Sequence, residues 1–348
     1  MGARPHLLLF RFSSLGDVAM TVPVLQLLLR QHPELEVTFV STGFVRPLFQ
    51  NMERVHFVAA DLKGRHKGVR GLYRLFRELR GTARFTGIAD LHNVLRTKIL
   101  RAYFKVTGIP AAALDKGRAE KKELTRPEQK ALRPLKPMHE RYADVFRSLG
   151  FGVDLSAHYG FRQPNTPSYM QQGIDAGIRF IGIAPFAAYR EKTYPPEQMV
   201  QVIRLLCHDG RNRVFLFGGK GDAAQLDEWQ REIPGTHNLA GKMHFGEELD
   251  HIGALHVMIS MDSANMHLAS LYGVPVVSVW GGTHPWLGFY GWRQDPANAV
   301  QIDLPCRPSS VFGNKDCPND RACMRGIEPL LVAGRVLEIL ERDGPPAS

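Results

Sequence analysis

The sequence predicts an α/β protein built as two similar halves, each an open parallel sheet with helices between its strands. Three observations carry this. Apolar runs of strand length alternate with stretches whose apolar residues recur at helical spacing, the pattern left by crossover connections in a parallel sheet. The alternation stops in a polar, proline-containing stretch, Phe161 to Gln172, and restarts at Phe180. Each half also sets a small polar cluster where an apolar strand gives way to a helix, and open parallel sheets bind ligands there. Two such halves joined by a linker imply a cleft between them.

In the first half the predicted strands are His6 to Phe12, Glu36 to Ser41, Val55 to Ala59 and Phe85 to Leu91. Between them, Asp17 to Gln31 carries Val18, Val22, Leu25, Leu28 and Leu29 at helical spacing, and Leu72 to Leu79 repeats the pattern. Pro23 falls in the opening turns of the first helix, where a missing N–H does least harm. From Gly108 to Pro137 charge and proline replace periodicity, which predicts a loop or short helices over the cleft. Met138 to Leu149 then closes the half as a helix.

The second half predicts strands at Phe180 to Ala184, Arg213 to Phe217, Val257 to Ser260 and Val274 to Val279. Its helices are Pro196 to His208, Asp222 to Arg231, Gly246 to Leu255 and a helix carrying His267. The last helix, Leu330 to Arg342, has no strand after it and is expected to pack back across the halves. The expected division is 1–165, 166–330 and a C-terminal segment 331–348.

A chain of 348 residues has room for two ordinary domains, and 44% hydrophobic with 22% charged residues is the composition of a soluble globular protein. No apolar run reaches the roughly 18–20 residues that a membrane helix needs. The opening apolar run is short, leads directly to Arg11 and Asp17, and reads as a first strand rather than a secretory signal. A cytoplasmic protein is expected. The formal net charge is +10, and the basic excess gathers in the first half, around Lys63 to Arg70, Arg96 to Lys105 and Lys116 to Arg126. Such clusters attract polyanions, or serve as solvated helix faces. The asymmetry suggests an acidic acceptor on the N-terminal side. No aromatic-interleaved basic motif accompanies it, so nucleic acid is not expected as a partner. Four cysteines are too few for a disulfide scaffold. Cys306, Cys317 and Cys323 lack the paired Cys-x-x-Cys spacing of a zinc site, so no metal is expected.

The motifs narrow the chemistry. Asp17 follows a strand and the turn Ser13-Ser14-Leu15-Gly16, where Gly16 lets the backbone bend or approach a ligand. Its carboxylate could accept a proton from a hydroxyl, or Asp17, Ser13 or Ser14 could simply cap the helix. Lys192, in a loop between strand and helix, suits the neutralisation of a departing diphosphate, or is solvated. Asp262, Ser263 and Ala264 open the helix of His267; free N–H groups and the Ser263 hydroxyl there can bind phosphate oxygens, and capping is the alternative. There is no Walker-type loop, no G-x-G-x-x-G after the first strand, no G-x-S-x-G elbow and no Asp-x-Asp pair. Hydride transfer, P-loop hydrolysis and serine hydrolysis all lose ground.

Taken in order, RFSSLGDVAMTVPVLQLLLRQHPELEVTFV, IADLHNVLRTKIL, KTYPPEQMVQVI, FLFGGKGD, NLAGKMHFGEEL and MDSANMHLASLYGVPVVSVWGGTHP resemble the heptosyltransferases of lipopolysaccharide core assembly, the glycosyltransferase family 9 type. The resemblance implies a GT-B architecture of two facing Rossmann-like domains and metal-free, inverting transfer from ADP-heptose, a co-substrate rather than a cofactor. The acceptor would be an anionic glycolipid at the cytoplasmic membrane surface. By position, Asp17 matches the family's general base, with Ser14 and Gly16 beside the acceptor. Lys192 matches the phosphate-binding lysine; Asp262, Ser263, Ala264 and His267 match the phosphate motif; Met243 would pack on adenine and Asp222 approach the ribose. Arg96 and Lys98 are acceptor-side candidates. Ala264 stands where the family usually has glycine, and the C-terminal cysteine-bearing tail lacks one of the family's cysteines. Another sugar or acceptor on the same fold, and a non-catalytic glycolipid-binding protein, are the competing readings.

Overall fold

The structure, a computed structural model, describes residues 4–127, 132–317 and 319–342. The chain divides into two compact units, one of Met1–Gly117 with Lys136–Gly160, the other of Arg118–Leu135 with Phe161–Ser348. Residues 128–131 of the 108–137 stretch and 343–348 of the C-terminal segment lie outside the described residues.

In the first unit β1 (His6–Phe10), β2 (Glu36–Ser41), β3 (Val55–Ala59), β4 (Gly87–Asp90) and β5 (Ala111–Ala113) form a parallel sheet in the order β3-β2-β1-β4-β5. Leu7 to Phe10 are fully buried because helices cover both faces, so β1 reads as a continuous apolar run rather than an alternating one. Its helices are α1 (Leu15–Ala19), α2 (Thr21–Gln31), α3 (Gly68–Arg80), α4 (Leu95–Lys105) and, after α5 (Arg118–Leu124) of the other unit, α6 (Met138–Arg147). The single helix expected over Asp17 to Gln31 is two, joined at Met20. Pro23 accounts for the break: its ring crowds the carbonyl four residues back, which is that of Ala19, the last residue of α1.

The second unit carries β6 (Arg179–Ala184), β7 (Asn212–Leu216), β8 (Thr236–Asn238), β9 (Val257–Met261), β10 (Val276–Val279) and β11 (Ala299–Val300), parallel throughout in the order β11-β10-β9-β6-β7-β8. Around it run α7 (Ser168–Asp175), α8 (Pro196–Cys207), α9 (Ala223–Glu232), α10 (Phe245–Gly253), α11 (Ala264–Leu271), α12 (Ala322–Arg325) and α13 (Pro329–Arg342). Both sheets start at a central strand, wind outward, then cross to the other side. Chain direction therefore diverges between β1 and β4 in one sheet and between β6 and β9 in the other. At such switch points neighbouring loops part and leave a crevice at the strand carboxyl ends.

One placement differs from the sequence reading. Segment 118–135, expected within the first half, belongs to the second unit: Leu124 and Leu135 bury against Leu287, and the Leu135 N–H bonds the Trp286 carbonyl at 2.8 Å. Apolar side chains in a charged stretch found their core elsewhere in the chain. Helix α13 packs on α8, β9 and β10, placing Val332, Val336 and Ile339 in the core of the second unit.

Candidate functional site

At the switch point of the first sheet, the loops after β1 and β4 are stitched together by Arg11. Its guanidinium is buried, donates to the Leu91 carbonyl at 2.7 Å and pairs with Asp17 Oδ2 at 2.5 Å. The Ser14 hydroxyl and N–H also donate to Asp17 Oδ2, at 2.8 and 3.2 Å. Buried Tyr142 donates to the Asp17 carbonyl at 3.4 Å and lies beneath the Arg11 guanidinium. Asp17 secures the start of α1 through Ser14, as the capping alternative has it, and its side chain stays about a quarter exposed beside a fixed cation. Gly16 is an ordinary helical residue of α1, buried and outside the left-handed region.

Asp90, fully buried at the end of β4, builds the second loop. Its Oδ1 accepts the His92 and Asn93 N–H groups at 3.0 and 2.7 Å, and its Oδ2 pairs with Arg101 at 2.9 Å. The loop presents His92, whose Nδ1 accepts the Phe12 N–H at 3.4 Å. Burial, then Arg11 and Lys116, push the His92 pKa down to about 3, so the imidazole is neutral. Arg96, exposed on the first turn of α4, stands near enough to oppose His92 protonation. Lys98 is exposed on the same helix. Sequence reasoning missed Arg11, Asp90 and His92. The usable signal was their place, at or just past the ends of two predicted apolar strands.

At the switch point of the second sheet, Lys192 closes a short 3-10 turn after β6, and its Nζ pairs with Asp262 at 2.9 Å. Asp262 and Ser263 follow β9, and Ala264 begins α11. Ser263 occupies the N-cap with an extended backbone, yet its side chain caps nothing; it pairs with the Ser260 hydroxyl at 3.0 Å. The capping alternative fails at Ser263, and the first-turn amides of α11 keep their hydrogen-bonding capacity for a ligand. Ala264 is helical with no left-handed φ, so it replaces a glycine there without strain. Buried His267 lies one turn further on. Asp262, acceptor-only when ionised, is suited to holding Lys192 rather than to binding phosphate directly.

The remaining donor-side candidates are close by in the chain but differently engaged. Asp222 stands at the start of α9, but its side chain turns back to accept the Gly219 N–H at 2.7 Å, which shapes the Gly218-Gly219 turn after β7. Met243 is half-buried in the turn before α10. A strap, Arg307 to Gly313, was not foreseen. Arg307 is buried and donates to the carbonyls of Gly281, Ile302, Thr283 and Trp280 at 2.5, 2.6, 3.0 and 3.3 Å. Ser309 N–H then reaches the Gly282 carbonyl at 2.9 Å. Gly313 has φ +73°, and a Cβ there would lie 2.4 Å from Lys192 Cγ, so only glycine lets the strap lie on the lysine stem.

Two members of the predicted basic clusters are not surface charges. His66 is buried against Glu78, and Lys121 is buried over the Phe289 ring at 3.9 Å. Among the described residues, no group of three or more His, Cys, Asp or Glu side chains is placed to hold a metal ion. The four cysteines are free thiols. Among the same residues no helix is long and apolar enough to cross a membrane.

Two doubly wound parallel sheets, each with its polar cluster at the reversal of strand order, define the chain as a doubly wound α/β protein. Residues 72–315 match the description "Glycosyltransferase family 9 (heptosyltransferase)". The chain belongs to glycosyltransferase family 9. It is 29% identical over 172 residues to lipooligosaccharide heptosyltransferase 2 of Campylobacter jejuni subsp. jejuni serotype O:2, covering 47% of this chain and 52% of that one. The chain spans about half the length of the curated relatives it matches. Its fold is that of the family 9 glycosyl transferase structure from Veillonella parvula DSM 2008, with TM-score 0.74, 19% identity, and 98% and 99% of the two chains covered. It also matches E. coli heptosyltransferase WaaC with ADP-2-deoxy-2-fluoro heptose, with TM-score 0.63, 17% identity, and 97% and 100% covered. The two parallel-strand sheets found here match GT-B-like heptosyltransferase structures.

Proposed function

We propose that the protein is an inverting, metal-independent glycosyltransferase that moves a heptose from ADP-heptose to a lipid-linked acceptor of lipopolysaccharide core type. It would act at the cytoplasmic face of the membrane. One observation carries this: the Lys192–Asp262 pair beside the uncapped start of α11, at the switch point of the second sheet. A cation and free helix amides converge there, the chemistry that a leaving diphosphate needs. The nucleotide sugar held by WaaC supports ADP-heptose as donor.

Asp17 is the base. It takes the proton of the acceptor hydroxyl as that oxygen attacks the anomeric carbon. The bond from that carbon to the diphosphate oxygen breaks on the opposite side, which inverts configuration. ADP leaves with its new charge held by Lys192 and the amides of Ala264 and Asn265. Ser14 and Gly16 lie beside the acceptor, with Arg96 and Lys98 toward its anionic groups. Met243 packs on the adenine, Asp222 lies toward the ribose, and His267 toward the phosphates.

The test is transfer from ADP-heptose to a deacylated core acceptor, read as ADP release, alongside ADP affinity by calorimetry. Asp17→Asn is expected to slow transfer by on the order of 10²–10⁴-fold while ADP affinity holds. Lys192→Ala should weaken both. A folded Asp17→Asn variant with wild-type turnover would refute the base.

A further inference from the structure

Helices α3 and α4 lie side by side on the face of the first sheet that Leu8, Phe10 and Ile88 present, and their inner residues Leu72, Phe76, Leu100 and Phe104 complete that core. Their outer faces are unusual in two respects at once. Large apolar side chains stand out from them: Val106 is 85% exposed, Leu95 73%, Val69 60% and Tyr73 49%. Single exposed apolar residues are ordinary, but here they gather on two adjoining helices. Tyr73 and Tyr103 meet edge to face at 5.6 Å, and the Tyr103 hydroxyl donates to the Val69 carbonyl at 3.3 Å, so the two faces form one surface.

Between these residues the surface is cationic. Arg70, Arg74, Arg77, Lys98 and Lys105 are exposed on it, and the one acid in the two helices, Glu78, is taken by Arg65 and His66. Arg70, Arg77 and Lys105 make no ion pair among the described residues. Charge of one sign repels a second copy of the same face. A nucleic-acid backbone would use the cations but gains nothing from exposed Leu and Val. A bilayer with anionic headgroups uses both: cations meet the surface potential, aliphatic side chains enter the headgroup boundary, and tyrosines favour that depth.

We infer that the outer face of α3 and α4 docks on an anionic lipid bilayer through Arg70, Arg77 and Lys105, with Val69, Tyr73 and Val106 entering the interface. The surface adjoins the acceptor-side cluster, because α4 springs from the His92–Val94 loop beside Asp17, and Leu95 begins it. A lipid-linked acceptor would thus be offered from the plane on which the protein rests. This deepens the proposed function, on which it rests for the kind of acceptor.

The experiment is co-sedimentation of the full-length protein with phosphatidylcholine vesicles, with and without a third of phosphatidylglycerol, at low and physiological salt. Wild type should bind only the anionic vesicles, and more weakly as salt rises. Each charge near the surface contributes roughly a five-fold factor, so Arg70→Gln/Arg77→Gln/Lys105→Gln should bind on the order of 10²-fold more weakly. Val69→Ser/Val106→Ser, at unchanged charge, should lose binding several-fold. Thermal melting and ADP affinity of both variants should match wild type. Absent wild-type binding, variants that bind like wild type, or a face that proves instead to mediate self-association or RNA binding would each overturn the inference. Vesicle binding without ADP binding would leave this surface standing and remove the sugar-transfer function; the converse would remove only the surface.

Discussion

Arg11 holds Asp17, the base of the proposed function, in place. A buried guanidinium 2.5 Å from the carboxylate fixes its position, and in the proposed role Asp17 would take the proton late, once attack has acidified the acceptor hydroxyl. His92 is a neutral neighbour whose Nδ1 is committed to the Phe12 N–H, which leaves Nε2 as its donor. His92→Gln, which keeps a donor near that position, should retain transfer within several-fold, and His92→Leu should raise KM for the acceptor; equal rates and KM for all three would remove His92 from the site. The wild-type rate should carry no limb from this imidazole across the neutral range, its pKa being held at about 3. Glu248 on α10 behaves oppositely. Burial raises its pKa from 4.5 to about 7. The native state then keeps a proton that the unfolded chain releases. Its contribution is therefore fully present below about pH 4.5, declines as pH rises, and is gone above about pH 7. That shift corresponds to roughly 3 kcal/mol. Glu248→Gln should recover much of it at mildly alkaline pH and flatten the decline, measured by denaturant unfolding; an unchanged pH dependence would contradict the assignment.

Elements differ in how legible they were. β1, β2 and β3 were readable to within two residues: β1 and β2 are buried along nearly their whole length, and β3, a partly exposed edge strand, still leaves a short apolar run. The strands β5, β8 and β11 span three residues or fewer and leave no run to detect. Helix α4 was hidden by its own outer face, since exposed Leu95, Lys98 and Val106 blur its period. The 307–313 strap could not be read at all: it has no periodicity, and its order comes from one arginine bonded to distant carbonyls. Arg307→Met should leave those buried carbonyls unpaired, cost roughly 3–5 kcal/mol, and weaken ADP binding where the variant still folds, because the strap lies on Lys192. Wild-type stability and ADP affinity in that variant would show the strap to be passive.

Over the whole molecule, each unit closes its own apolar core, so each has its own stability. ADP bound at the Lys192 cluster should protect the second unit selectively, by about 2.7 kcal/mol when the nucleotide is near 100-fold above Kd. Differential scanning calorimetry would show the transition of that unit rising with ADP and that of the first unit staying in place; Lys192→Ala should abolish the shift. A uniform rise, or none, would place the nucleotide elsewhere. The net charge of +10 acts at this scale too: it speeds encounter with any polyanion, while the exposed aliphatic residues of α3 and α4 choose among them.

The sequence by itself determined the α/β class, two doubly wound units and the positions of Asp17, Lys192 and the Asp262–Ala264 turn. These follow from burial and turn chemistry, which are local and leave periodic traces. Only the tertiary structure decided that Arg11 holds Asp17, that Asp262 holds Lys192 while Ser263 leaves α11 uncapped, and that segment 118–135 joins the second unit. Each of these depends on which strand ends become neighbours, and strand order is set by long-range packing that no stretch of sequence records.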